Sequence, residues 1–335
     1  MIRATPPTLD RRALLRAGLG LGAGLAAAPL LAACGGGAGE PAGGDGAVRY
    51  AYVSLTGVYL PVFAAIEQNY FADAGVTFEP SVTRGSAASV QQILGGAIDC
   101  AGTAIDTVAV AINGGADVVG VSGLLNAPWS LIAVPGVTSF EDLRGGSIGV
   151  TQVGSSLEVL LREMMRANGI EDGEYEVVGL GGTTERVAAL NSGAIAAGLL
   201  TQPQDFELVG SGMGSLGYAD EYLDMQFVAN FVERGWAEAN PDTVTGMLTA
   251  QTRGAQWLAD PANRDASIAL LSQYTNAGPE AAAATYDLYV EKDLFATALE
   301  PRFDSVDALL SAADMGENRG AAGYFDTSYL ESVSA

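Results

Sequence analysis

From residue 48 onward, short apolar runs alternate with longer runs in which apolar positions recur every three or four residues. The short runs predict strands, and the longer ones predict helices that bury one face. Residues 48–53 form a strand in this reading. Residues 60–74 form a helix, with Phe63, Ile66, Tyr70 and Phe71 at helical spacing and Gly75 as its stop. Then come a strand at 76–80, a helix at 87–95, a strand at 98–102 and a helix at 107–112 that ends at Gly114-Gly115. Strands follow at 118–121 and 131–134, the latter in an apolar stretch flanked by Pro128 and Pro135. The β-α-β-α-β order predicts a parallel sheet covered by helices on both faces.

A second cycle follows. Ser139-Phe140-Glu141-Asp142-Leu143 predicts a helical turn with Ser139 as N-cap and Asp142 three residues on. Strands at 147–150, 175–178 and 196–200 alternate with helices at 155–168 and 184–193, and another strand lies at 227–232. From Pro241 the pattern is helical, with segments at 242–259, 261–274, 279–290 and 305–315. A strandless helical array of this kind is expected to pack on an existing lobe, and Tyr329-Leu330 is expected to dock with it.

The first 46 residues break the pattern. Arg11-Arg12 is followed by apolar residues and Arg16, then by an uncharged Ala-, Gly- and Leu-rich stretch ending in Leu31-Ala32-Ala33-Cys34. A basic region, a short apolar region and small residues before a cleavage point describe a signal peptide. The stretch is about 17 residues, short of the roughly 20 that span a bilayer comfortably. The paired arginines resemble a twin-arginine export signal, and the Leu-Ala-Ala-Cys ending resembles a lipobox. Residues 1–33 are therefore expected to be removed, with Cys34 receiving the lipid. The protein would then sit at the outer face of the cytoplasmic membrane. Residues 34–46 hold little but Gly and small residues and predict a flexible tether.

About 290 residues remain for the folded body, enough for one large domain or two ordinary ones. The chain has 16 basic and 39 acidic residues. Without residues 1–33, 12 basic residues face 38 acidic ones, a balance of −26. No basic footprint exists for nucleic acid. There is no His, which removes Ser-His and Cys-His catalysis and the usual zinc ligands. The one lysine, Lys292, lies late in the chain and outside any phosphate-binding loop. No metal site and no cofactor fingerprint is present, and no carboxylate pair suits catalysis. With Cys34 committed to lipid, Cys100 has no partner for a disulfide and reads as a small buried hydrophobe.

Strand–helix junctions of an α/β sheet aim backbone N–H groups at a cleft, where ligands bind. Four junctions here are rich in small hydroxyl residues: Ser54 to Tyr59 with Thr56 and Gly57, Thr103 to Thr107 with Asp106, Thr151 to Ser156 with Gly154 and Ser155, and Thr201-Gln202-Pro203. Each alone is an ordinary helix cap. Together they contribute equivalent ends from both α/β units, as the walls of a two-lobed cleft would. Arg84 and Arg186 are cations near such junctions and could meet an anion, although a solvated or ion-paired surface arginine explains either. Tyr59 and Trp129 could stack on a planar ligand, or pack in the core.

These stretches resemble the extracytoplasmic solute-binding proteins of ABC importers for nitrate, sulfonates, taurine and the thiamine pyrimidine precursor. The resemblance is carried by Thr56-Gly57-Val58-Tyr59-Leu60-Pro61, by Leu94-Gly95-Gly96-Ala97-Ile98-Asp99, by Ser139 to Gly145 with Ile148-Gly149-Val150, and by Leu190 to Ala197 followed by Gln202-Pro203. Ala196 stands where that last element usually has Asp. The resemblance implies an α/β, two-lobed type II periplasmic-binding fold, with residues 47–131 plus 232–335 as lobe one and 135–226 as lobe two. The C-terminal helices would pack on lobe one, and crossing strands would lie near 131–134 and 227–232. It implies a monomeric, non-enzymatic binding component that delivers a small organic solute to a permease with its cytoplasmic ATPase. A sensor or scaffold lipoprotein on the same fold is the other function this implies. The expected ligand-binding residues are Ser54, Thr56, Gly57, Tyr59, Arg84, Thr103, Asp106, Trp129, Thr151, Gly154, Ser155, Ser156 and Gln202.

Overall fold

The computed structural model describes residues 46–312 and 317–333. The expected signal, the lipidation residue Cys34 and nearly all of the tether lie outside the described residues. Within them the chain builds β1 (Ala47–Tyr52), α1 (Leu60–Glu67), α2 (Tyr70–Asp73), β2 (Thr77–Val82), α3 (Ser86–Leu94), β3 (Cys100–Ala104), α4 (Ile105–Asn113) and β4 (Val118–Gly123). A second unit follows as β5 (Ser130–Ala133), β6 (Ser147–Val150), α5 (Ser156–Ala167), β7 (Glu176–Gly179), α6 (Thr183–Ser192), β8 (Ala197–Leu200), α7 (Gln204–Gly210) and β9 (Gly214–Tyr218). The chain returns as β10 (Val228–Glu233) and ends in α8 (Arg234–Ala239), α9 (Pro241–Ala259), α10 (Arg264–Thr275), α11 (Pro279–Glu291) and α12 (Phe303–Ala312), with a last turn at Ser328–Glu331.

Two five-stranded sheets result, ordered β2-β1-β3-β10-β4 and β7-β6-β8-β5-β9. They are mixed, where the periodicity alone predicted parallel sheets. β10 runs antiparallel to β3 and β4, and β5 runs antiparallel to β8 and β9. Each of these two strands, fourth of five in its sheet, enters from the other unit, so it arrives at the opposite end from its βαβ neighbours. The segments 124–129 and 219–227 carry the chain between the sheets, while the strands near 131–134 and 227–232 belong to one sheet each.

Local chemistry explains the other differences. The expected helix over 60–74 breaks at Asn69, which adopts a left-handed conformation with φ 59° and separates α1 from α2. Ser139 does not cap a helix through its own hydroxyl. Asp142 Oδ2 instead accepts from the N–H groups of Thr138 and Ser139, both at 3.0 Å, and holds a short 3₁₀ turn at Glu141–Leu143. α7, α8 and β9 have short sequences whose weak periodicity predicts no element.

One hydrophobic cluster lies between the first sheet and the C-terminal helices, joining Tyr50, Phe63, Leu124, Met247 and Tyr289. Tyr329 and Leu330 pack against it. A second cluster runs from the other face of that sheet into the second unit, from Ile105 and Phe231 to Leu131, Ile148 and Leu161. Cys100 is fully buried within the first cluster, and burial pushes its thiol well up. Among the described residues no helix is long and apolar enough to cross a membrane.

Candidate ligand-binding seam between the two sheets

The C-terminal ends of β1, β3, β6 and β8 carry the four hydroxyl-rich junctions, and the fold brings junctions of the two sheets into direct contact. Gly57, just past β1, donates its N–H to Gln202 O at the exit of β8, at 3.0 Å. A side chain at Gly57 is excluded, because a Cβ there would collide with the Tyr289 hydroxyl. A second contact joins the first turns of α4 and α5. Asp106 Oδ2 accepts from the Ser156 hydroxyl and, at 3.3 Å, from the Ser156 N–H, while Oδ1 accepts from Thr107 N–H at 2.6 Å. A carboxylate of the first unit thus occupies the N-terminus of a helix in the second, where the unpaired N–H groups and the helix dipole favour negative charge.

Other expected residues support these ends or stand apart from them. Thr56 and Thr103 are buried, and Ser54 is half-buried. Thr151 Oγ1 donates to Ser155 Oγ at 3.2 Å, Ser155 Oγ donates to Gln152 O at 2.6 Å, and Gly154 N–H donates to Glu158 Oε2 at 2.6 Å. Tyr59 is 1% exposed and packs edge-on against Tyr52. Its hydroxyl donates to Gly102 O at 2.8 Å and accepts from Val53 N–H at 3.3 Å, so it fastens the ends of β1 and β3 together. Arg84 is exposed on the turn before α3.

Trp129 is half-buried on the first crossing segment, edge-on to Phe227, with the Arg186 guanidinium carbon 5.6 Å above its ring. Arg186 corrects the expectation of a solvated or ion-paired surface cation. It is 1% exposed, donates to Leu199 O at 2.9 Å and Gly181 O at 2.6 Å, and pairs with no carboxylate among the described residues. Burial lowers its pKa to about 10. The Gly181-Gly182 turn before α6 marked the place, but a lone arginine in sequence does not reveal its burial.

Several buried polar atoms at the seam have no hydrogen-bond partner among the described residues, including Thr103 Oγ1, Gln202 Oε1 and the Tyr289 hydroxyl. Such atoms are uncommon, because each carries its full desolvation cost. Beside the seam lie two openings. A cavity of about 320 Å³ is lined by Trp129, Asp220, Phe227, Lys292 and Arg302, and an open groove by Phe206, Tyr218, Leu288 and Lys292. Only Trp129 of the expected site residues faces either of them, because the strand ends themselves are bonded together. Among the described residues no group of three or more His, Cys, Asp or Glu is placed to hold a metal.

The family model described as NMT1/THI5 like matches residues 57–264, more than half of the chain, from Gly57 in the first junction through the other three. The chain belongs to the NMT1/THI5-like family. Comparison with curated proteins by sequence gives no match. Among solved structures, the ligand-binding component of an ABC-type import system from Staphylococcus aureus, with zinc bound, superposes at TM-score 0.72 and 12% identity, covering 86% of this chain and 99% of that one. A protein from Bordetella bronchiseptica RB50 gives 0.67 at 22% identity, covering 85% and 93%. The alkanesulfonate-binding protein SsuA from Xanthomonas axonopodis pv. citri, bound to MOPS, gives 0.62 at 19% identity, covering 72% and 83%. At these identities the likeness carries the fold: this member of the NMT1/THI5-like family has the two-sheet periplasmic-binding architecture.

Proposed function

We propose that this protein is the substrate-binding component of an ABC import system, capturing a small organic solute between two lobes and presenting it to a membrane permease. The observation that carries the reading is the seam. Strand ends of both sheets meet there and leave buried hydroxyl and amide groups without partners. Lobe one is built on the first sheet and lobe two on the second, with 124–129 and 219–227 as the connections about which they move. Ligand that touches both walls only when they close would shift the population toward the closed form. Catalysis is no part of this reading: the chain has no His, and its one described thiol is buried. The protein works as a monomer tethered through lipid on Cys34 at the outer face of the cytoplasmic membrane.

A thermal-shift screen of the purified protein against sulfonates, nitrate and pyrimidines tests capture. A solute that raises the melting temperature in a concentration-dependent way is the expected result. If no small molecule stabilises the protein, the reading fails. Replacement of Cys34→Ser tests the anchor: the protein should move from the membrane fraction to the soluble fraction, and continued membrane retention would refute lipidation there.

A further inference from the structure

The exit of β8 gathers polar groups whose chemistry is one-sided. Asp205 is 2% exposed. Its Oδ1 accepts from the Phe206 N–H and its Oδ2 from Gln202 Nε2, both at 2.6 Å. No arginine or lysine pairs with it among the described residues. Lys292 is tied to Asp220 at 2.7 Å, Arg302 to Asp224, and Arg186 to backbone carbonyls.

Gln202 is fully buried. Its Nε2 gives one hydrogen to Asp205 and another to Pro128 O at 3.1 Å. Both partners are acceptors, so the amide orientation is set by chemistry, and the atom left without a partner is the acceptor Oε1. Tyr289 is also fully buried, and its hydroxyl is unpartnered. It lies against Gly57, whose N–H is bonded to Gln202 O. The negative charge of Asp205 reaches the Tyr289 hydroxyl.

A carboxylate and an amide oxygen accept only, and a tyrosine hydroxyl can accept as well as donate. What this buried set lacks is donors. We propose that Asp205, Gln202 and Tyr289 read the N–H-bearing end, an amino or ammonium group, of an organic solute held between the two sheets. The assignment rests on the capture reading and narrows it to amine-bearing solutes. An amine would supply hydrogens to Gln202 Oε1 and Tyr289 and place positive charge beside Asp205. A solute of the same shape without that group would leave Gln202 Oε1 and the Tyr289 hydroxyl unpaired, the arrangement that discriminates best against an analogue.

The test is calorimetric titration of the purified protein with matched probes, 2-aminoethanesulfonate against ethanesulfonate and 4-aminopyrimidine against pyrimidine. The amino member of at least one pair should bind about tenfold tighter or more. Asp205→Asn and Tyr289→Phe should each reduce that preference about tenfold. If Asp205→Asn does not fold by circular dichroism, the Tyr289→Phe result decides. Equal binding of both members, or a preference that survives both substitutions, overturns the inference. If none of the four probes binds while another solute in the thermal screen does, the inference falls and capture stands. If nothing binds, capture falls with it.

Discussion

Asp205 shows at the scale of one residue what burying a carboxylate without a cation costs. Burial raises its pKa from 3.8 to about 6, against the opposing hydrogen bonds from Gln202 and Phe206 N–H. The ionisable groups facing it are the phenols of Tyr218 and Tyr289. A carboxyl whose folded pKa is raised binds more protons folded than unfolded, so it stabilises the fold at low pH. That contribution is lost as pH rises from about 4 to about 6, amounting to about 3 kcal/mol at neutrality. Asp205→Asn removes the titration. Its stability relative to wild type should rise by up to that amount between pH 4 and pH 7 in denaturant melts. Whatever the amide does to the offset, parallel curves would show that Asp205 does not titrate in this window. The cost fits a residue kept for its ligand, since local rules are most often broken at functional sites.

At the scale of the element, the two α/β units are equivalent in backbone and different in charge. Asp99 N–H donates to Arg49 O at 2.9 Å in the first sheet, and Ala196 N–H donates to Ser147 O at 2.8 Å in the second. In the first, the Asp99 carboxylate also accepts from Arg49 N, Nε and Nη2 at 2.5 to 2.9 Å. It therefore ties β1 to the entry of β3. Position 147 in the second unit is a serine, whose hydroxyl turns to Glu176 at 2.9 Å. With no cation to hold there, Ala196 can stand where the family element usually has Asp. Asp99→Ala should destabilise the protein by about 2 kcal/mol, measured by chemical denaturation, because Asp99 is buried while Arg49 keeps some solvent. A loss within about 0.5 kcal/mol would show that the backbone bond alone holds the junction.

At the scale of the whole molecule, the proposed lobe movement turns on the contacts across the seam. Asp106 with Ser156 and Gly57 with Gln202 hold strand ends of opposite sheets together. Asp106→Ala removes one acceptor and leaves the buried Ser156 hydroxyl unpaired in the closed form, a change of about 1 kcal/mol toward opening. About a fivefold rise in the open-to-closed ratio follows. Spin labels on the two lobes should report longer distances in the ligand-free variant than in wild type. An unchanged distance distribution would show that this contact does not hold the lobes.

Much of this was legible in the residues alone. Periodicity separates strands from helices because burial on one face repeats every second residue in one and every third or fourth in the other. The order of elements and motifs carried the family, and the missing histidines excluded whole classes of catalysis, since both are properties of the chain itself. The four junctions were also visible, because small hydroxyl residues after a strand have a local meaning. The tertiary structure alone decided which junctions touch, that β5 and β10 run against their neighbours, and that Arg186 and Asp205 are buried without counter-charges among the described residues. Asp205 and Tyr289 belong to helices far apart in the chain. Charge becomes informative only when burial removes its solvent, and burial depends on what the crossing segments bring together.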